Sequence, residues 1–104
     1  MIQFEWDNAK ARANEKKHGV SFDDAVQIFE DPHVISEQDR IVDGELRWQS
    51  VGMIEQMLVV LVAHTSELSV ASDIEVIRVI SARRATRHER RRYDENRAKD
   101  VGGD

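Results

Sequence analysis

Seven arginines, Arg78, Arg83, Arg84, Arg87, Arg90, Arg91 and Arg92, fall within fifteen consecutive positions. A guanidinium presents a planar fork of N–H donors that pairs with phosphate oxygens, so this concentration points to a phosphate-bearing partner. The alternative is a solvated helix face. Four histidines, His18, His33, His64 and His88, are the side chains that move protons near neutral pH. No two of them stand at metal-ligand spacing within one element, so no bound metal and no cofactor are expected. The chain has no Gly-rich phosphate loop, no dinucleotide turn and no Ser-His-Asp order. It also has no Cys, which excludes thiolate nucleophiles, thiolate metal sites and disulfides.

The arginines stand against an acidic background. The chain holds 20 acidic and 15 basic side chains, a net charge of -5. Residues 1–77 carry a balance of -9 and residues 78–104 one of +4, so positive potential is confined to the C-terminal part. A length of 104 residues with 34% charged and 40% hydrophobic side chains fits one soluble globular domain with a modest core. That domain is expected over residues 1–98, followed by a disordered tail at 99–104. The longest apolar run, Met57 to Ala63, is too short to span a bilayer, and Met1 to Glu5 shows no secretory pattern. A cytoplasmic location is the expectation.

Elements that position these residues follow from periodicity. Ile2, Phe4 and Trp6 alternate with polar residues as in a half-buried strand. Asp7 opens a helix over Asn8 to His18 that Gly19 ends. Ser21 caps a second helix whose stripe is Phe22, Ala25, Val26 and Phe29, and Pro32 stops it. Val34-Ile35 and Ile41-Val42 flank polar residues 37–40, read as one edge strand and a polar connection. Leu46 to Gly52 and Met57 to Ala63 form a hairpin, the second strand being apolar on both faces. A polar break from Thr65 to Asp73 precedes a β-branched strand, Ile74 to Ile80. The final helix runs from about Arg84 to Arg97, with Arg91 and Glu95 at i,i+4. Short polar connections imply an α+β fold with an antiparallel sheet, two N-terminal helices on one face and the C-terminal arginine-rich helix beside the other.

Several segments in order resemble the BrnT family of bacterial type II toxins, small proteins of the RelE-like fold. They are Phe4-Glu5-Trp6-Asp7, Lys10, Asn14, Lys17-His18-Gly19-Val20-Ser21-Phe22, Ala25, Phe29, Asp31-Pro32, Arg47, Gly52, Thr65, Arg78, Ile80-Ser81-Ala82-Arg83-Arg84-Ala85, Glu89-Arg90 and Tyr93. The stretches Asp43 to Leu46 and Glu67 to Asp73 depart from the family pattern. The resemblance implies a metal-independent endoribonuclease toxin that blocks translation. It further implies neutralisation by a ribbon-helix-helix, BrnA-like antitoxin in a two-plus-two complex, with operator DNA touched only through the antitoxin and no membrane involved.

Metal-free RNA cleavage needs a base near the 2′-hydroxyl, an acid near the leaving oxygen and positive charge on the phosphoryl oxygens. Arg83, Arg78 and Arg47 are the candidates for that charge, with His64, which ends the central strand and could reach the open face, His18 and Glu5 as candidates for acid and base. Lys17, Arg84, Arg87, His88, Arg91 and Tyr93 are candidate RNA contacts. Arg83 is expected where the last strand meets the final helix. Structural alternatives stay open: Arg78 in an ion pair with Glu5, His18 as a helix C-terminal charge, Tyr93 as packing. A non-catalytic module acting by occupancy is the alternative to the enzyme.

Overall fold

A computed structural model describes residues 1–55 and 57–102. Strand β1 (Ile2–Glu5) leads into helix α1 (Asn8–His18). The Asp7 carboxylate accepts the Lys10 amide at 3.0 Å, and Gly19, left-handed at φ 71°, returns its N–H to Glu15 O at 2.8 Å. Ser21 caps helix α2 (Phe22–Ala25) by accepting the Asp24 amide at 3.0 Å. After one turn the chain tightens into a 3₁₀ segment, Val26–Glu30. Three residues per turn replace 3.6, so the fully buried side chains are Phe22, Ala25 and Ile28. Ile28 thereby enters the core, whereas Val26 and Phe29 of the expected stripe are half-buried. Gly52 lies directly beneath: a Cβ there would stand 2.8 Å from Ile28 Cβ, so only glycine lets this segment rest on the sheet.

The strands β2 (Ile35–Val42), β3 (Glu45–Met53), β4 (Val59–His64), β5 (Glu67–Ser69) and β6 (Ile74–Arg84) follow, and helix α3 (Arg87–Gly102) closes the chain. Two expectations are corrected here. Residues 37–40 lie inside β2 rather than connecting two pieces, because β2 pairs with β3 along its length through a tight turn at Asp43-Gly44. Both turn residues have positive φ, 51° and 79°, the geometry of two-residue hairpins. The polar break after Thr65 contains β5, which pairs with the first part of β6.

Sheet order is β1-β6-β4-β3-β2, with β5 also on β6. Pairing is antiparallel throughout β2, β3, β4 and β6, but β1 joins β6 in parallel, from Ile2 opposite Glu75 to Glu5 opposite Arg78. α1 and α2 pack on one face, where Val20, Phe22, Ala25, Ile28, Val60, Val62, Val79 and Ala82 form the core. Each of the larger side chains contributes roughly 1.5–3 kcal/mol by leaving water. Asn14 locks α1 to β6, its amide donating to Val20 O and Ala82 O at 3.2 and 2.9 Å while its oxygen accepts the Ala82 amide at 3.1 Å.

Helix α3 starts later and ends later than its composition suggests. Thr86 and Glu89 form a reciprocal capping box, with Glu89 N–H on Thr86 Oγ1 at 3.2 Å and Thr86 N–H on Glu89 Oε1 at 2.8 Å. The helix then runs to Gly102, through part of the expected disordered tail; Gly103 and Asp104 lie outside the described residues. Its i,i+4 ion pair is Arg90 with Asp94 at 3.8 Å, where the spacing suggested Arg91 with Glu95.

Candidate functional site

The face opposite α1 and α2 carries the arginines, and a single extra residue decides that it does. In β6, Ser81 stands opposite Ala63 but Val79 opposite His64, which leaves Ile80 as a β-bulge. A bulge shifts the alternation by one, so residues five apart share a face. Arg78 and Arg83 therefore project to the same side, while Ile77, Val79 and Ala82 point into the core. On β3 the same side holds Glu45, Arg47 and Gln49, the residues out of phase with Ser50 and Gly52, which face the helices.

Two arginines converge on one carboxylate at the open end of this face. Arg78 donates through Nη2 to Glu45 Oε1 at 2.5 Å, and Arg47 Nε lies 3.5 Å from the same oxygen. Arg47 Nε is buried and has no hydrogen-bond partner. A groove of about 390 Å³ opens beside them, lined by Glu5, Glu45, Thr65, Glu67, Val76 and Arg78 among others. Arg78 thus pairs with Glu45 and not with Glu5, although Glu5 is its neighbour in register. Sequence reading missed Glu45. The signal was present in Asp43-Gly44, a hairpin dipeptide that sets Glu45 two residues before Arg47 on the first rung of β3.

Arg83 is held differently. It stands on β6, four residues before α3, and not at the helix N-terminus. It grips Glu89 with both terminal nitrogens, at 2.8 and 3.0 Å. The anion position at this helix start is thus filled by the protein's own capping carboxylate. Hydrogen bonding from Arg83 draws the Glu89 carboxyl down to about 2 against the cost of burial, and the same contact raises the Arg83 guanidinium. Arg92 likewise pairs with Glu37 of β2 across α3.

Other expected site residues are elsewhere. His64 points toward the helices and is buried, so it does not reach the arginine face. Its Nδ1 faces Thr65 O at 3.0 Å, which requires a proton on Nδ1, and its Nε2 accepts from Ser50 Oγ at 2.7 Å. Phe29 covers it edge-on at 5.1 Å, and burial holds the imidazole below its usual range. His18 and Lys17 sit on α1, across the sheet from Arg78. Arg84 alternates with Arg83 and takes the opposite face at the strand end. Arg87, His88 and Arg91 are exposed along α3. Tyr93 is 1% exposed, too deep for a phosphate contact, and donates its hydroxyl to Asp31 Oδ2 at 2.5 Å. That bond anchors α3 to the Asp31-Pro32 corner, where Asp31 also accepts the Met53 and His33 amides. Burial pushes the Asp31 carboxyl up, but these donors together outweigh it and leave it low; burial and the Asp31 bond raise the Tyr93 phenol. Among the described residues, no group of three or more His, Asp or Glu side chains converges as a metal site.

Fold and site define a small α+β protein whose sheet offers guanidinium groups on one face, the equipment of an anion-binding or phosphoryl-transfer protein. The family model described as ribonuclease toxin, BrnT, of type II toxin-antitoxin system matches residues 6–89, and the chain belongs to this family. The 1.1 Å crystal structure of the Brucella abortus ribonuclease toxin, BrnT, is similar in fold, with a TM-score of 0.58. That similarity covers 84% of this chain and 100% of the other, at 20% sequence identity. No curated protein matches the chain. Family membership implies an antitoxin partner. No helix among the described residues is long and apolar enough to cross a membrane.

Proposed function

We propose that the protein is a metal-independent endoribonuclease toxin that cuts RNA on the arginine face and so stops translation. The observation that carries this reading is the convergence of Arg47 and Arg78 on Glu45 beside an open groove that Arg78 lines, with Arg83 on the same face. Cleavage by the 2′-hydroxyl builds negative charge on the phosphoryl oxygens, and guanidinium donors supply the balancing charge without a metal. Each guanidinium has five N–H donors, so Arg78 retains donors for a phosphate while holding Glu45. Arg87, His88 and Arg91 extend the cationic surface along α3 for the flanking backbone. Lys17, on the far side of the sheet, is outside this path.

The antitoxin belongs to the ribbon-helix-helix class and forms a two-plus-two complex with the toxin in the cytoplasm. Operator DNA is contacted only through the antitoxin, as the family resemblance implies. The test is incubation of the purified protein with RNA and a chelator, followed by mapping of the ends. New 2′,3′-cyclic phosphate ends are expected, and RNA binding should weaken steeply with salt. Bound but intact RNA would favour action by occupancy. A mass measurement on the co-expressed pair checks the two-plus-two assembly.

A further inference from the structure

The arginine face holds three carboxylates in contact with arginines, and their oxygens are not equally committed. Glu89 uses Oε1 for Arg83 and the Thr86 amide and Oε2 for the second Arg83 nitrogen. Glu37 meets Arg92 with both oxygens. Glu45 differs: Arg78 and Arg47 both address Oε1, and Oε2 has no partner among the described residues. Its side chain is 40% exposed, on the groove of about 390 Å³. Glu5 and Glu67 line that groove as well, but neither forms an ion pair with an arginine among the described residues.

A base for RNA cleavage must lie where the phosphate is held, within hydrogen-bond reach of the adjacent 2′-hydroxyl. From this geometry we infer that Glu45 is that base, acting through Oε2; the inference rests on the ribonuclease reading above. Oε2 takes the proton of the 2′-hydroxyl as the O2′–P bond forms. The P–O5′ bond breaks, and the 5′ oxygen leaves with a proton from water. The products carry a 2′,3′-cyclic phosphate and a 5′-hydroxyl, and Glu45 returns its proton to solvent. Arg78 then has two tasks, orienting Oε1 and sharing charge with the phosphoryl oxygens, while Arg47, whose buried Nε lies 3.5 Å from Oε1, helps to hold that oxygen.

The experiment is single-turnover cleavage and RNA binding by wild type, Glu45→Gln and Glu67→Gln, with melting curves. Two substrates are used, an ordinary oligoribonucleotide and the same strand with sulfur replacing the 5′-bridging oxygen. Glu45→Gln should cleave the ordinary strand about 10²–10⁴ times more slowly yet bind it as tightly or more tightly, since a negative charge has left the groove. A thiolate leaves without a proton, so the sulfur strand should remain slow with this variant. Glu67→Gln, which removes the same charge from the same groove but from a side chain that holds no arginine, should lose far less rate than Glu45→Gln. An equal loss would overturn the assignment by tracing the effect to groove charge alone. Wild-type cleavage by Glu45→Gln overturns the assignment while leaving the ribonuclease reading intact. Full recovery on the sulfur strand overturns it as well, by placing Glu45 on the leaving-group side. A wild type that binds RNA and cuts none sinks both readings together. If Glu45→Gln melts well below wild type, Glu45→Asp decides: a carboxylate one methylene shorter should cleave faster than Gln at equal folding, and equal rates would reject the base.

Discussion

Beneath α1 and α2, polar side chains serve as fixtures: Asn14 meets three backbone groups of Val20 and Ala82, and His64 is locked between Thr65 and Ser50. Across the same sheet, polar side chains are charged, at least partly exposed and only partly committed, as with Arg78, Arg47 and Glu45. The distinction is one of desolvation. A buried neutral group must satisfy its hydrogen bonds on folding, because an unmade bond costs more than a made one returns. A partly exposed guanidinium can exchange one anion for another at little cost, since water screens the change. One face therefore spends its polarity on stability, and the other keeps polarity available to a ligand.

The contrast is tested most strongly on the open face. Arg78→Ala should lower RNA cleavage by roughly 10²–10³, the scale for one transition-state donor, while moving stability by only about 0.5 kcal/mol. Rates and melts read side by side check this, and a large fall in melting temperature would move Arg78 to the structural class.

Asn14→Ala should behave in the opposite way. It strands the buried Ala82 N–H and two carbonyls, for a loss on the order of 3 kcal/mol and roughly 10–20 °C in melting temperature. Cleavage by the fraction still folded should be normal.

Gly52→Ala should cost about 1–3 kcal/mol, because the new methyl overlaps Ile28 and the 3₁₀ segment must lift. Denaturant midpoints measure it, and an unchanged midpoint would mean that this contact yields freely.

Acid sensitivity should separate the faces by window. His64 is held below its usual value of 6.5, so the unfolded chain gains its proton first and stability falls as pH drops below about 6.5. Glu89, held at about 2 against 4.5, stabilises fully above about 4.5, and that contribution is lost as pH falls toward 2. In pH-dependent melts, His64→Gln should remove the upper window and Glu89→Gln should shrink the lower, to which Asp31, also held low, still contributes. The smallest effect is expected for Arg92→Ala, at most about 1 kcal/mol for an exposed pair, with a melt near wild type.

Much of this molecule is legible residue by residue. Asp7, Gly19 and Ser21 mark the ends of the first two helices in the sequence and cap them in the structure. The run ending at Ala63 reads as a central strand and is one. Arg47, Arg78 and Arg83 are readable in the sequence as candidates for phosphate contact, but the carboxylates they hold are not. The structural alternative for Arg78 is a pair with Glu5, its register neighbour, whereas the carboxylate that reaches it starts a strand 33 positions earlier. Thr86 and Glu89 carry a capping-box signature that a run of arginines obscures, so the sequence starts α3 about three residues early, at Arg84 rather than Arg87.

What the sequence determined by itself is local: caps, alternation, a Pro stop and the polarised charge depend on neighbours within a few positions, where steric and hydrogen-bonding preferences act directly. Tertiary structure alone decided the parallel docking of β1, the burial of His64 under Phe29 and the meeting of Glu45 with two arginines. It also decided the bulge at Ile80, on which the whole arginine face depends. The physical reason is register: side chains alternate with a period of two, so one extra residue turns the rest of a strand over. Which register wins is set by the strands paired on either side, here β4 with its inward His64, and not by the strand's own residues.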